Sequence, residues 1–366
     1  MEREADVTES ETEARKYVRL PTFLERGFSD LKREVIAKRI CCLCGTCAAF
    51  CDKIEIKEGE RGEEAPGFIE DYDTVCGLCY AFCPRTFLPQ SEIERRLFGE
   101  EQKDVLGVYR GCYAVRSTKA DIKGQDGGAV TSLLAYALEE ALIDCAVITA
   151  ADDHWNPVTK VTKNYEGLKE GAGTKYTIYP SIIGVREAIE EGCTAIGFVG
   201  LPCQIQGLRN VQMAEQPYDV GIEKLKLLIG LFCMENFTKD LLDFIAKNYV
   251  KGSLEKVSKF DIKGKDFLVY EKEKHSIPLD EIENYIAEGC SVCMDYTAEL
   301  ADISVGSVGS EEGWSTVFVR TEKGGEVVEG AVEKGYVEVK EIEDKGLGLI
   351  RKLGERKRKS GRDEMT

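Results

Sequence analysis

Histidine is almost missing from this 366-residue chain, which contains only His154 and His275. That scarcity excludes histidine-built zinc, copper and haem centres and most imidazole acid–base catalysis. Positive charge is also short: 49 lysines and arginines face 66 acidic residues, a net charge of −17. A nucleic-acid partner needs a basic face, so general binding of that kind is excluded. Long apolar runs are lacking as well. The longest, Leu227–Met234, is eight residues with Gly230 inside it, far below the roughly 18 that span a bilayer. Met1–Arg15 is acidic and polar, without the basic-then-apolar pattern of a secretory signal. The expectation is a cytoplasmic protein with no transmembrane segment.

Cysteine, by contrast, is abundant: 15 residues, an odd number. Cytoplasmic reductants keep thiols reduced, so sulfur ligation of a metal explains the load better than disulfides. With 43% hydrophobic residues the chain also has enough apolar material for a large core.

The pattern divides the chain into a polar leader (1–38), a turn-rich segment with eight cysteines (39–90), a charged connector (91–110), a large region (111–350) and a basic tail (351–366). In the large region, helical spacing at Ala129–Glu140 is followed by a β-rich run at Leu142–Thr149. Ser181–Glu191 then precedes the strand-like Ala195–Val199, and a further step ends at Leu227–Phe232. Strands alternating with helices predict an α/β fold with a mostly parallel or mixed sheet. Ligands of such sheets collect at the carboxyl ends of the strands. The tail, with seven basic residues, reads as a solvated helix end or as a docking strip for an acidic partner.

Cys41, Cys44, Cys47 and Cys51 follow the spacing C-x2-C-x2-C-x3-C. One tight loop of this kind surrounds an iron–sulfur cube with three thiolates and sends the fourth to a neighbouring cluster. A second run, Cys76, Cys79 and Cys83 before Pro84, lacks its expected first cysteine, and Asp73 stands there. Exchange of the last cysteines would assign Cys41, Cys44, Cys47 and Cys83 to one cluster. The other would take Cys51, Cys76, Cys79 and a replacement, either Asp73 or Cys42, or would lack one iron. The segment is thus expected to be a small ferredoxin-like α+β iron–sulfur domain. Cys112, Cys145 and Cys193 are isolated and read as structural. Cys203 and Cys233 each follow a strand, and Cys290 and Cys293 form a C-x2-C pair. Spacing leaves open whether these four converge on a third cluster.

Gly124-Gln125-Asp126-Gly127-Gly128-Ala129 opens into a helix through Val130 and Thr131, offering backbone N–H groups and a positive dipole end to an anion. Gly173-Thr174-Lys175-Tyr176 is a second glycine-rich turn.

Five stretches, GQDGGAVTSLLAYALEEALIDCAVI, GTKY, GLPCQIQGLR, IGLFCMENF and GCSVCMDYTAELADISVGSVGS, occur in order within roughly 124–310. Together with the ferredoxin insert they resemble the beta subunits of coenzyme F420-reducing hydrogenases and dehydrogenases. The resemblance implies an FAD-binding α/β domain beside a [4Fe–4S] cluster ligated by Cys203, Cys233, Cys290 and Cys293. It puts Gln125, Asp126, Gly127, Gly128, Ala129, Val130, Thr131, Thr174, Lys175 and Tyr176 near the flavin. The N-terminal ferredoxin segment is similar to versions that pass electrons to a larger complex. Such complexes are of the hydrogenase, formate or formylmethanofuran dehydrogenase, or heterodisulfide reductase type.

Coenzyme F420, as substrate, exchanges a hydride, whereas iron–sulfur clusters move single electrons, so the implied FAD stands between them and three clusters. No side chain is then needed as nucleophile or general base. The anionic tail of the coenzyme requires a local basic pocket, for which Arg116, Lys123, Lys175 and Arg209 are candidates. Two other readings keep part of this picture: a ferredoxin-dependent reductase similar to those acting on chlorophyll-type pigments, and a non-enzymatic electron relay.

Overall fold

The computed structural model describes residues 26–59, 63–69, 76–122, 124–214 and 218–363. Asp73 and Lys123, and the leader through residue 25, lie outside the described residues.

The cysteine-rich segment folds into a hairpin of β1 (Ile54–Glu58) and β2 (Glu64–Phe68) with two short helices, Thr46–Ala49 and Leu78–Phe82. Both helices begin alike. Gly45 and Gly77, each between two motif cysteines, take left-handed φ values of 90° and 81°. Glycine reaches that conformation without the steric cost of a Cβ, so the two C-G-x-C turns are backbone repeats of one another.

The large region is built on an eight-stranded sheet. Its strands are β3 (Gly111–Ser117), β4 (Cys145–Ala151), β5 (Pro157–Thr162), β6 (Ile196–Gly200) and β7 (Leu225–Leu231). After an intervening three-stranded antiparallel sheet of β8 (Lys259–Lys263), β9 (Asp266–Tyr270) and β10 (Lys274–Pro278) come β11 (Ile303–Gly306), β12 (Ser315–Val319) and β13 (Val337–Glu341). The order is β13-β3-β12-β11-β7-β6-β4-β5. The centre, β11-β7-β6-β4, is parallel, and every pair outside it is antiparallel. The sheet is therefore mixed: β4, β6 and β7 are the steps visible in the sequence, and β11 adds a parallel strand beyond them. Central strands such as β6 are buried throughout, whereas the edge strand β13 alternates buried and exposed positions and carries Glu338, Lys340 and Glu341.

Alternate residues of the strands feed two cores. Ile148, Val199 and Ile229 pack under the helices Ala129–Glu139 and Glu322–Glu333. Val147, Phe198 and Leu228 pack on the opposite face with Ile205 and Leu208 of the helix Pro202–Met213. Cys42, Cys44 and Ala49 join that second core, so the cysteine-rich segment is seated on the sheet's helical layer. Its docking is polar as well as apolar. The Ile182 N–H donates to the Cys44 carbonyl at 3.4 Å, and Asn210 Nδ2 donates to the Phe87 carbonyl at 2.9 Å.

Two segments carry more structure than their sequence suggests. The stretch expected as a connector contains the helix Gln90–Phe98, with Ile93, Glu94 and Leu106 buried. The basic tail continues a helix that runs Asp344–Asp363 across residue 350. Lys357 is only 5% exposed there, so this residue is turned inward instead of being solvated. Among the described residues, no helix is long and apolar enough to cross a membrane.

Candidate functional site

Cys41, Cys42, Cys44, Cys47 and Cys83 line one small cavity of about 20 Å³, together with Leu31, Val35 and Leu43. Four of these five, Cys41, Cys44, Cys47 and Cys83, are the set that ferredoxin-type exchange assigns to a single cluster. Burial, followed by the neighbouring Cys42, pushes the Cys41 thiol up to about 12, and burial also raises Cys47 and Cys83. Each is held as a thiol until a metal displaces its proton. Cys51 and Cys76 interact electrostatically with one another, and Cys79 is buried in the same core as Cys47.

Cys42 bonds to Cys44 and Cys203, which places it at the seam between the first motif and the large region.

The resemblance-based quartet converges from three parts of the chain. Parallel pairing of Gly200 with Gly230 aligns the carboxyl ends of β6 and β7. Cys203 and Cys233 follow those ends. The Cys233 N–H donates to the Tyr296 carbonyl at 2.9 Å, just beyond Cys293. Cys293 interacts with Cys203, Cys233 and Cys290, so the four thiols form one connected group. All four are free, and burial raises Cys233 and Cys290.

Spacing bears on which metal such groups suit. A single tetrahedral zinc with Zn–S bonds of about 2.3 Å needs sulfurs roughly 3.8 Å apart. Among the described residues only Asp144, Cys145 and Cys193 bring three ligand atoms within 4.8 Å of each other. Among the described residues the motif cysteines form no such trio, so they are not a preassembled single-zinc site. Arg85 also has a buried Nε with no hydrogen-bond partner, and Cys293 and Cys203 are among the groups nearest its charge. A guanidinium with an unpaired nitrogen beside Cys203, Cys290 and Cys293 fits an anionic cluster.

The ten candidate flavin residues gather at one lip. Gln125 is its hub: Nε2 donates to the Phe260 carbonyl and to Asp261 Oδ1, both at 3.1 Å, and Oε1 accepts from the Thr174 N–H at 3.2 Å. Lys259 Nζ donates to the Gln125 carbonyl at 2.9 Å. Sequence reasoning missed this part of the small antiparallel sheet, because Lys-Phe-Asp-Ile-Lys reads as an ordinary strand. Gly128 enters the helix Ala129–Glu139 with no side-chain cap, leaving first-turn N–H groups for an anion. Ala129 and Thr131 are buried, and Gly127 lies against the Val115 carbonyl and Ser315 N. Val130 and Tyr176 are half-buried, and burial raises both the Asp126 carboxyl and the Tyr176 hydroxyl. Thr177 Oγ1, next in the chain, is buried without a partner. A half-buried lip with an uncapped helix start and an orphaned hydroxyl fits a phosphate-bearing cofactor such as FAD.

The expected basic pocket is largely spoken for. Lys175 Nζ donates to the carbonyls of Gly171, Ala172 and Gly173, while burial lowers it to about 8. Three acceptors around one ammonium support its charged form more than burial alone suggests. Arg209 is not a surface charge. It is buried against Asp302 Oδ1 at 3.0 Å and the Leu300 carbonyl, tying its helix to the sheet. Arg116 pairs with Glu338 and stacks over Trp314.

The pattern for coenzyme F420 hydrogenase/dehydrogenase beta subunits matches in two parts, the N-terminal part over 112–183 and the C-terminal part over 193–345. The chain belongs to this family. It is 42% identical over 263 residues to the beta chain of the coenzyme F420 hydrogenase of Methanothermobacter thermautotrophicus, covering 69% of this chain and 93% of that one. It is 33% identical to a component of the F(420)H(2) dehydrogenase of Methanosarcina mazei, over 89% of this chain and 91% of that one. So long a match reaches into the cysteine-rich segment, outside both family parts. A chain of the F420-reducing [NiFe] hydrogenase complex of Methanosarcina barkeri superposes with a TM-score of 0.67 and 39% identity. That superposition covers 72% of this chain and 93% of the other. The family is one of oxidoreductase subunits, and the relatives so named work within multi-subunit redox complexes.

Proposed function

We propose that this beta-family protein exchanges a hydride with coenzyme F420 at a bound FAD and relays the electrons singly to or from a partner complex. The relay runs through three iron–sulfur clusters. The observation that carries the reading is a shared loop. Cys233, one of the quartet, lies four residues before Phe237, whose N–H donates to the Tyr176 carbonyl at 2.9 Å. In return the Ile178 N–H donates to the Phe237 carbonyl at 2.8 Å. The same loop's Asn236 carbonyl accepts from the Ala287 N–H at 2.8 Å, just before Cys290. One short segment thus links the flavin lip to the quartet by backbone bonds, and Cys42 links the quartet to the first motif.

FAD, when bound, supplies the conversion between two-electron and one-electron chemistry. The chain's own residues orient and shield it. The N–H groups of the uncapped first turn at Ala129–Thr131 would offset phosphate charge, while Lys259 holds the Gln125 carbonyl and pairs with Asp261. Gln125 pins the Gly-rich turn to Thr174 and Asp261, and Lys175 stiffens the second turn by holding three of its carbonyls. Cys41, Cys44, Cys47 and Cys83 would hold the first ferredoxin-type cluster, and Cys51, Cys76 and Cys79 the second, with Asp73 as a candidate fourth ligand. Cys203, Cys233, Cys290 and Cys293 would hold the third.

The test is an anaerobic flavin and iron analysis followed by addition of reduced coenzyme F420. About one FAD, about twelve irons and bleaching of both chromophores support the converter. About eight irons with no flavin would reduce the protein to a relay.

A further inference from the structure

We infer that Arg85 and Lys357 set the reduction potential of the cluster held by Cys203, Cys233, Cys290 and Cys293. The inference rests on the proposed ligation of that cluster.

The two cations approach the quartet from different parts of the chain. Arg85 follows Cys83 and Pro84 in the cysteine-rich segment. Its Nη2 donates to the Gly289 carbonyl at 3.2 Å, directly before Cys290. It also bonds to Cys293, and its nearest charges are Cys42, Cys293 and Cys203. Among the described residues, the groups acting most strongly on it are thiols and not carboxylates. Lys357 reaches in from the C-terminal helix. It is 5% exposed, donates to the Met234 carbonyl beside Cys233, and lies among Cys293, Cys233 and Cys290, with the acidic Glu235 also facing it. Two positive charges therefore bracket four thiols in a poorly solvated space.

Burying charges without a counter-charge is strongly unfavourable. Four thiolates with their irons form an anion, and that anion gains charge when it is reduced. Fixed cations beside it favour the reduced form, and net charge, hydrogen bonds to sulfur and exposure are what set such potentials. The two residues also place control at both borders of the cluster. Arg85 belongs to the ferredoxin segment, which would receive the electron. Lys357 belongs to the terminal helix, whose Gly361 lies against the Cys293 carbonyl.

The test uses the full-length, FAD- and iron-replete protein, in a potentiometric titration followed by electron paramagnetic resonance. R85Q and K357M are compared with the charge-conserving R85K and K357R, after iron analysis of each. One one-electron wave should move to lower potential in both R85Q and K357M, because the quartet is what the two cations share. Arg85 also acts on Cys41 and Cys83, so R85Q moves the first ferredoxin-type wave as well, whereas K357M does not. The expected change in its reduction equilibrium is about tenfold for each, or about 59 mV. R85K and K357R should restore most of it. Iron-replete R85Q and K357M with every wave at its wild-type position would overturn the inference. So would conserved-charge variants shifted as far as the neutral ones, since packing would then be the cause. Should R85Q lose iron, K357M decides alone. Loss of four irons from both neutral variants, with retention in both conserved-charge variants, would replace potential-setting by a role in assembly. A wild-type protein without a third wave would instead defeat the proposed ligation itself.

Discussion

Gly289 packs against the Cys41 carbonyl so tightly that a Cβ built on it would lie 2.1 Å from that oxygen. The first motif cysteine and the C-x2-C turn of the large region therefore meet backbone to backbone. Arg39, pairing with Glu288, closes the same seam from outside.

Gly289→Ala should force the seam apart. A backbone carbonyl cannot swing aside, so the overpacking cost is about 1–3 kcal/mol. The expected outcome is a protein that keeps its FAD and iron but passes electrons from flavin to the ferredoxin-type clusters more slowly. Stopped-flow bleaching after mixing with reduced coenzyme F420 separates the two steps. Unchanged cluster reduction would show that the seam is not on the route.

Gln125→Leu removes the amide that joins the Gly-rich turn, the Thr174 N–H, the Phe260 carbonyl and the Asp261 carboxylate. Unpairing these partly buried groups costs about 1–3 kcal/mol. If the whole loss falls on cofactor binding, FAD should dissociate roughly five- to 150-fold more readily, at about 1.4 kcal/mol per decade. Equilibrium titration of flavin-stripped protein measures this directly, with the unfolding midpoint as a control for general damage.

Glu299 supplies a pH signature. Burial first, then the adjacent Asp295, raises its carboxyl to about 8, against the opposing pull of Arg358. Between an ordinary value near 4.5 and 8, the folded state holds a proton that the unfolded chain has released. Its contribution is therefore fully present below about pH 4.5 and is lost as pH rises towards 8. The slope is on the order of 1 kcal/mol per pH unit. Glu299→Gln should flatten stability over that interval in anaerobic denaturant titrations. An equal slope in the variant would assign the proton elsewhere.

Asp73→Cys restores the cysteine that the second ferredoxin-type run lacks. The variant should retain its second cluster and shift that cluster's potential, because thiolate suits iron–sulfur chemistry better than a carboxylate. An unchanged spectrum and potential would mean that Asp73 is not a ligand.

Local spacing carried much of the reading. C-x2-C-x2-C-x3-C states its loop geometry directly, and the paired turns at Gly45 and Gly77 follow from the same short motif. The helix after Gly128 and the buried central strands were legible because burial imposes a periodicity that a window of ten residues can display. The antiparallel flanks were not. β3 pairs with β12 and β13 across roughly 200 residues of chain, and no local window contains that pairing.

The sequence by itself determined that any metal centre here would have to rely on sulfur, with almost no histidine to offer, and that a glycine-rich turn would open a helix. These follow from residue chemistry and from spacing within one loop. Tertiary structure alone decided which distant cysteines meet. It turned Cys42 towards Cys203, buried Arg209 against Asp302, and aimed Arg85 and Lys357 at the quartet. The physical reason is that a charge's role depends on what surrounds it after the chain closes. A lysine in a basic tail and a lysine beside three thiols are identical until the helix carrying it docks.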